Sequence, residues 1–499
     1  MTLPGFNGLN KQQATGILGP EWATRLENAD IDDNARVAAR KGYDIATTAA
    51  ATGRFKTLHH YKNTSGTEYL IGSTPTALYS SVNGGSTWSD VTNSIGFSTG
   101  NWQFVNFNGS IFGIQQGEAL ITGTGGNFTQ LAVTDVPSGN CLLAAFGRLW
   151  ATASNGTDLQ YSSLLNGSDW SSTDAGVLDL SSIWLGQDTI TAVAAFNGAL
   201  VVFGKRNIVF MVDGQGSALG IDPINLYVSD TLSGVGCIAR DSVQSIDGDL
   251  WFLSDTGMQS LGRLITQKSN PLDNISRPVQ DYLRDLVTGT DASKLRSVYS
   301  PLDRFYLLSL PDGSGGGEAI VFDTRGRLED GSARCMGIWT MVPEALSVNE
   351  AGTLYMSLYS VEGSVGTYNG GLDNGATFNM VYESGWLDLT QQGYLLFPKR
   401  IEGVFFTDAD VSLNFRWAFD FDTDFRTAAK SFAVASGAAI WGTAIWGTTL
   451  WGGGISLRRG KVAGSGSGEY IKAGINANID GATFAVQQLD IFAKVGRYA

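Results

Sequence analysis

The chain has 499 residues, of which 43% are hydrophobic and 16% charged, against a usual charged share of ~25%. Its 33 basic and 47 acidic residues leave a net charge of −14, which argues against a groove that grips nucleic acid by neutralising phosphates. With 64 glycines and 11% aromatics, the composition points to short strands joined by tight turns, not to long charged helices.

Cys141, Cys237 and Cys335 are isolated and far apart, so neither a disulfide framework nor a zinc site is expected. Reduced, buried thiols in a protein made in a cytoplasm are the expectation. The opening stretch MTLPGFNGLNKQQATG has no basic run followed by an apolar one, and no signal peptide is expected.

Residues 1–45 are polar, with turn chemistry inside EWATRLENADIDDNARVAARKGY. They are expected to form an N-terminal arm that docks on another part of the chain. Residues 46–379 carry a repeated unit: an alternating apolar segment, a turn, then a run with Leu or an aromatic. The turns fall near Gly66, Gly109, Gly147, Gly198, Gly248, Asp303 and Gly352. Asn-Gly and Asp-Gly at several of them supply the positive φ that a tight hairpin needs. Hairpins recurring roughly every 40–55 residues are the mark of a β-propeller. The expected fold class is therefore all-β: a β-propeller of about seven blades (six to eight), followed by a C-terminal β-domain. A pair of β-sandwiches is the alternative, and the regular spacing favours the propeller.

Within the first unit, Ser81, Asn83, Gly85, Thr87 and Trp88 form S-x-N-x-G-x-T-W. This resembles the Asp-box of sialidases and other propellers, with Asn in place of Asp. The polar side chain can cap backbone amides, and the tryptophan can pack beneath them. A looser copy, SSLLNGSDW, ends at Trp170. In that family the box is a folding element remote from the active site. A sialidase would also need an arginine cluster for the substrate carboxylate, and its early Phe/Tyr-Arg-Ile-Pro motif is missing here, so no catalytic residue is assigned. A glycosidase with paired carboxylates stays open, because such pairs meet only in space.

His59 and His60, the only histidines, are adjacent; on a strand they face opposite ways and cannot chelate together. Ser276–Leu286 is the one helix expected inside the repeat region. Ser276 is its cap, Pro278 lies in its first turn, and Val279, Tyr282, Leu283 and Leu286 form one apolar face. The glycine-rich stretches GTGGN and GSGSG lack the strand–glycine–helix context of a phosphate cradle and read as flexible loops.

From 380 to 499 the rhythm changes, and SGWLDL, RIEGVFF, VSLNFRWAFDFD and ATFAVQQLDIFAKV read as strands of the separate β-domain. Asp420, Asp422 and Asp424 resemble the start of a calcium loop, but Phe425 and Ser431 stand where Gly and Glu are needed. An exposed strand with alternating Asp is expected instead. No metal or cofactor is expected. The Trp-Gly segment 439–454 places Trp441, Trp446 and Trp451 at every fifth residue. Successive side chains would diverge by about 140° on a helix and alternate faces on a strand. The tryptophans therefore form either a local aromatic core or a subunit contact or distal tip. Ser431–Leu457 has no charge, but it is too rich in Gly, Ser, Thr and Ala for a spanning helix. Arg458, Arg459 and Lys461 form a basic cluster expected in a solvated loop.

The order of several segments is similar to that in the tail nozzle (tail tubular, or packaged-DNA stabilisation) proteins of short-tailed bacteriophages. They are Asn28–Tyr43 ending in Arg40-Lys41-Gly42-Tyr43, the stretch from Arg148 to Met211, and GVGCIARDSVQSIDGDLWFLSDTGMQSL from Gly234 with the ISRPVQDYL helix after it. The C-terminal GWLDL, KRIEGV and WGT repeats complete the set. The resemblance implies a homohexameric virion tail protein, assembled in the host cytoplasm and placed below the portal and adaptor rings. It also implies contacts with tail fibres or spikes, an axial channel that genomic DNA leaves through without sequence-specific binding, and no catalytic residues. Membrane contact at the tip carries no support from the sequence. On that reading the acidic balance lets the duplex slide past a repelling wall. The alternative is a propeller module that binds glycans or a host surface.

Overall fold

The computed structural model describes residues 2–3, 7–184, 188–216, 221–266, 274–389, 394–433 and 456–497. The expected Trp-Gly segment, with Trp441, Trp446 and Trp451, lies outside the described residues. The chain divides into two compact units. Ile45–Ala319 and Met341–Thr367 form one; Met1–Asp44, Ile320–Thr340 and Tyr368–Ala499 form the other.

The first unit is a seven-bladed β-propeller. Blades 1 to 4 are four-stranded antiparallel sheets in chain order, opening with strands Thr57–Lys62, Gln103–Phe107, Leu142–Ala145 and Ala192–Phe196. Blade 5 has three strands, Gln244–Ile246, Asp249–Ser254 and Gly257–Ser260, followed by a short helix, Leu261–Thr266. Blade 6 opens with Arg296–Ser300 and Phe305–Pro311, and blade 7 with Pro343–Val348 and Leu354–Leu358. All seven expected turns join the first strand of a blade to its second. At three of them Asn108-Gly109, Asn197-Gly198 and Asp247-Gly248 both take positive φ, the geometry that matches a two-residue turn to strand twist. Phe146-Gly147 does the same with φ of 55° and 70°.

The second strand of each hairpin departs from simple alternation. Arg148–Thr152 and Ala199–Phe203 are buried at every position. A blade packs a neighbour on each side, so its central strands have no solvent face. One cluster links blades 3 and 4 through Trp150, Leu159, Val193 and Leu200. Another links blades 4 and 5 through Val201, Phe203, Leu250 and Phe252. A third closes the ring by packing Ala345 and Val365 of blade 7 on Leu58 and Leu70 of blade 1. The closure is also hydrogen-bonded: Ala46 N donates to Val365 O (3.2 Å) and Ala51 N to Gly363 O (2.9 Å).

The expected helix begins later than its sequence suggests. It runs Gln280–Thr288 after a 3-10 turn at Arg277–Val279, and Ser276 does not cap it. Its hydroxyl instead accepts from Met258 N at 3.0 Å. Val279 and Leu283 are buried as the apolar face requires.

The second unit is a β-sandwich. One sheet runs Ser456–Ala463, Tyr394–Thr407, Phe484–Arg497, Val37–Ala39, Ala29–Ile31. The facing sheet includes Trp22–Glu27, Phe378–Ser384, Tyr470–Ile479, Val411–Phe419 and Arg426–Phe432. Residues 1–44 thus supply strands to both sheets, and residues 320–340 join this unit too. Between the sheets Phe405 is fully buried, with ring centroids 5.9 Å from Phe415, 5.7 Å from Phe432 and 5.5 Å from Phe484. Arg40 is buried and makes a two-pronged pair with Asp373 (2.7 Å each), and its Nε donates to Asn28 Oδ1. A side chain at Gly42 would overlap the Leu372 carbonyl.

Two expectations change here. Asp420 and Phe421 take φ of 50° and 66°, so the Asp-rich stretch is the turn between Val411–Phe419 and Arg426–Phe432, not a strand. The Asp420 carboxylate accepts from Glu469 N (2.7 Å) and Tyr470 N (2.9 Å), which offsets the cost of the left-handed backbone. Arg458, Arg459 and Lys461 lie on the strand Ser456–Ala463, paired with Phe405, Val404 and Glu402, not in a loop.

Phe405→Ala removes the ring on which three others rest. The sandwich should lose about 3–5 kcal/mol, seen as an earlier thermal transition by near-UV circular dichroism.

Candidate functional site

Polar side chains from segments at the starts of several first strands meet near the propeller axis. Arg240 precedes the first strand of blade 5, Arg296 opens that of blade 6, and both are buried. Arg240 Nη1 donates to Asn140 O (2.7 Å) and Oδ1 (2.9 Å), just ahead of blade 3. Its Nη2 donates to Asn101 Oδ1 (3.0 Å), just ahead of blade 2. Asp241 sits between the two guanidiniums, 2.8 Å from Arg240 Nε and 3.3 Å from Arg296 Nη1. Arg296 Nε donates to Lys56 O (3.1 Å), at the entry to blade 1. The cluster thereby ties together segments of blades 1, 2, 3, 5 and 6.

Burial alone would raise the Asp241 pKa; Arg240 and Arg296 more than offset it and hold the carboxyl below the usual range. Burial lowers the Arg296 pKa, with Asp241 opposing the shift. These directions fit one carboxylate serving two partly desolvated cations. A cavity of about 220 Å³ at this cluster is lined by Arg240, Asp241 and Arg296 with His59, Gln103 and Gln244. His59 Nε2 lies 2.8 Å from Asn106 Oδ1, and burial lowers its pKa to about 4; the imidazole is neutral at physiological pH. His60 instead approaches Glu68 (3.3 Å).

The Asp-box-like residues lie in the turn between the third and fourth strands of blade 1, Leu78–Ser81 and Ser89–Asp90. Ser81 Oγ accepts from Gly85 N (2.9 Å), and Asn83 Oδ1 accepts from Thr87 N (3.0 Å). Trp88 packs on Phe55, with centroids 4.6 Å apart. The looser copy occupies the same turn of blade 3. There Ser163 Oγ donates to Asp169 Oδ2 (2.8 Å) and Trp170 Nε1 to Gly167 O (3.0 Å). These side-chain bonds close on the turns themselves, while carbonyls of the same turns accept from neighbouring segments, Gly85 O from Thr47 Oγ1 and Leu165 O from Asn108 Nδ2, so these residues shape the blade.

Among the described residues no group of three His, Cys, Asp or Glu side chains is placed to hold a metal ion. The three cysteines are free and buried. Burial pushes the Cys141 and Cys335 thiols up to about 12 and Cys237 to about 11, so none is a ready nucleophile. Sequence reasoning missed the axial cluster. Its one available signal was an Arg-Asp pair inside the apolar run GVGCIARDSV.

No family model and no curated protein matches the chain. Among solved structures it is similar to BamB from Moraxella catarrhalis, with TM-score 0.34 and 10% identity, over 66% of this chain and 90% of that one. It is similar also to YCF48 from Cyanidioschyzon merolae, with TM-score 0.36 and 11% identity, over 66% of this chain and 98% of that one.

Asp241→Asn leaves two buried guanidiniums without their carboxylate. It should cost about 2–3 kcal/mol at neutral pH, less than the ~3–5 of a fully sealed pair because Asp241 is partly open to solvent. A carboxyl with a lowered folded pKa contributes stability above the ordinary carboxylate range and loses it as pH falls through the folded value. The gap between wild type and variant in urea midpoints should therefore close below about pH 4.

Proposed function

We propose that this chain is a structural, non-catalytic subunit of the ring-shaped tail nozzle of a short-tailed bacteriophage. Six copies would form the distal DNA-exit channel below the portal and adaptor rings and anchor fibres or spikes. The observation that carries the reading is the way the chain is shared between its two units. It passes between propeller and sandwich four times, at 44/45, 319/320, 340/341 and 367/368. A recognition module hung on a linker needs one passage; a load-transmitting scaffold gains from several.

The segments that resemble the nozzle family fall in both units. Asn28–Tyr43 builds the sandwich through Asn28 and Arg40, and Arg148–Met211 builds blades 3 and 4. The axial cluster bonds across each propeller's own centre, so on this reading DNA travels along the axis of the ring and not through a propeller. A net charge of −14 suits a wall that repels phosphates.

Light scattering on the purified protein, alone and with its portal and adaptor rings, tests the assembly. The monomer is 53.1 kDa. A six-fold multiple in either condition is expected; a strict monomer in both would overturn the reading.

A further inference from the structure

Beside the axial cluster lies a second cavity, of about 260 Å³, where the chain enters the first strands of the blades. Its wall includes Lys56, Lys294, Arg296, Glu344, Thr99 and Pro311. In a protein with a net charge of −14, a recess with three cations and one carboxylate stands apart. Asp291, nearby, is turned to cap Ser293 N at 3.0 Å.

Two wall residues keep unused bonding capacity although they are more than nine-tenths buried. Arg296 is 8% exposed. Its Nε and Nη1 are taken by Lys56 O, Ser293 O, Leu295 O and Asp241, and its Nη2 has no acceptor among the described residues. Glu344 is 6% exposed. One oxygen meets Lys56 Nζ at 3.4 Å, and the other has no donor among the described residues. Neither atom is sealed away from solvent-accessible space. Lys294 is exposed at the rim and takes part in no ion pair among the described residues. A buried guanidinium nitrogen left open to a cavity is costly unless water or a ligand fills the place.

We propose that this cavity binds a small hydroxylated carboxylic acid of the sugar-acid class. The ligand carboxylate pairs with Arg296 Nη2 and the Lys294 ammonium, a charge-assisted contact of the strong kind. Ligand hydroxyls donate to the free oxygen of Glu344, and Pro311 offers an apolar patch to the C–H face of the ring. This inference does not depend on the nozzle reading, since the cavity belongs to one propeller.

The test is calorimetric titration of the full-length protein with galacturonate, glucuronate and N-acetylneuraminate. Galactose and inorganic phosphate serve as controls. At least one sugar acid should bind saturably at one site per chain, and galactose should not. Lys294→Gln, an exposed change that leaves the melting temperature in place, should weaken that binding about tenfold. Glu344→Gln should weaken the sugar acid while leaving any phosphate binding unchanged. Three results would each overturn the proposal: no saturable binding of any of the three acids, equal binding of galactose, or phosphate binding as tightly as the best acid. Arg296→Lys tests the buried partner directly. Should it unfold the blade, the Lys294 result still decides.

Discussion

The propeller depends on one polar knot at its axis. A ring of blades is held between neighbours by apolar surface, which is non-directional and fixes no angle by itself. The bonds of Arg240 and Arg296 are directional, and they reach across the ring to blades that do not touch. Arg240 spans 100 residues to Asn140 and 139 to Asn101; Arg296 spans 240 to Lys56. Each contact lands just before, or at, the start of a first strand, so the knot sets where the blades begin. Its cost is the burial of two guanidiniums with one carboxylate between them. Backbone carbonyls and two Asn side chains offset that cost, since an Arg has five donors to satisfy and Asp241 can accept only some of them.

Around that knot, neighbouring first strands pass bonds from blade to blade. Thr57 Oγ1 donates to Trp102 O, Gln103 Oε1 accepts from Leu142 N, and Cys141 Sγ lies 3.2 Å from Thr191 O. Gln244 Nε2 donates to Ser297 O, and from the second strand of blade 6 Ser309 Oγ donates to Pro343 O. The centre is thus polar and bonded from blade to blade, while the space between blades is apolar. The two layers divide the work: burial supplies most of the free energy, and the polar ring specifies registration.

The hairpins were legible because their chemistry is local. A turn with two consecutive positive φ angles selects Asn-Gly or Asp-Gly, and the pairs at 108–109, 197–198 and 247–248 announce it in the sequence. The start of the helix was not legible, since nothing local shows that Met258 N takes the Ser276 hydroxyl. The stretch FDFDTDF reads as a strand by its alternation, yet two amides 49 and 50 residues away hold Asp420 in a turn. The assignment of residues 320–340 to the sandwich was hidden for the same reason. Periodicity marks a strand but not its partner, and Ile338 meets Glu27 across the length of the propeller sequence. The assembly of the axial cluster and of the cavity beside it lay beyond sequence reasoning, for their residues come from five separate segments and the Arg-Asp pair at 240–241 shows only one of them.

That distant pairing sets an order of assembly. Blades 1 to 4 are each complete within about 50 consecutive residues, close to the repeat length of the class, so each can form once its own segment is present. The sandwich cannot. Trp22–Glu27 pairs with Phe378–Ser384, and Val37–Ala39 with Phe484–Arg497, so its first strands wait for residues hundreds of positions later. Contacts of such separation carry the larger loop-closure entropy and form slowly. Closure of the ring waits as well, because Ala46 and Ala51 bond to Val365 and Gly363. Ala29–Ile31 and Val37–Ala39 can pair locally, but the far edges of Trp22–Glu27 and Val37–Ala39 wait for late partners through most of synthesis, and a polar composition there limits aggregation of an open edge. The polarity that made this stretch read in the sequence as an arm docking on another part of the chain then suits its late incorporation into two sheets.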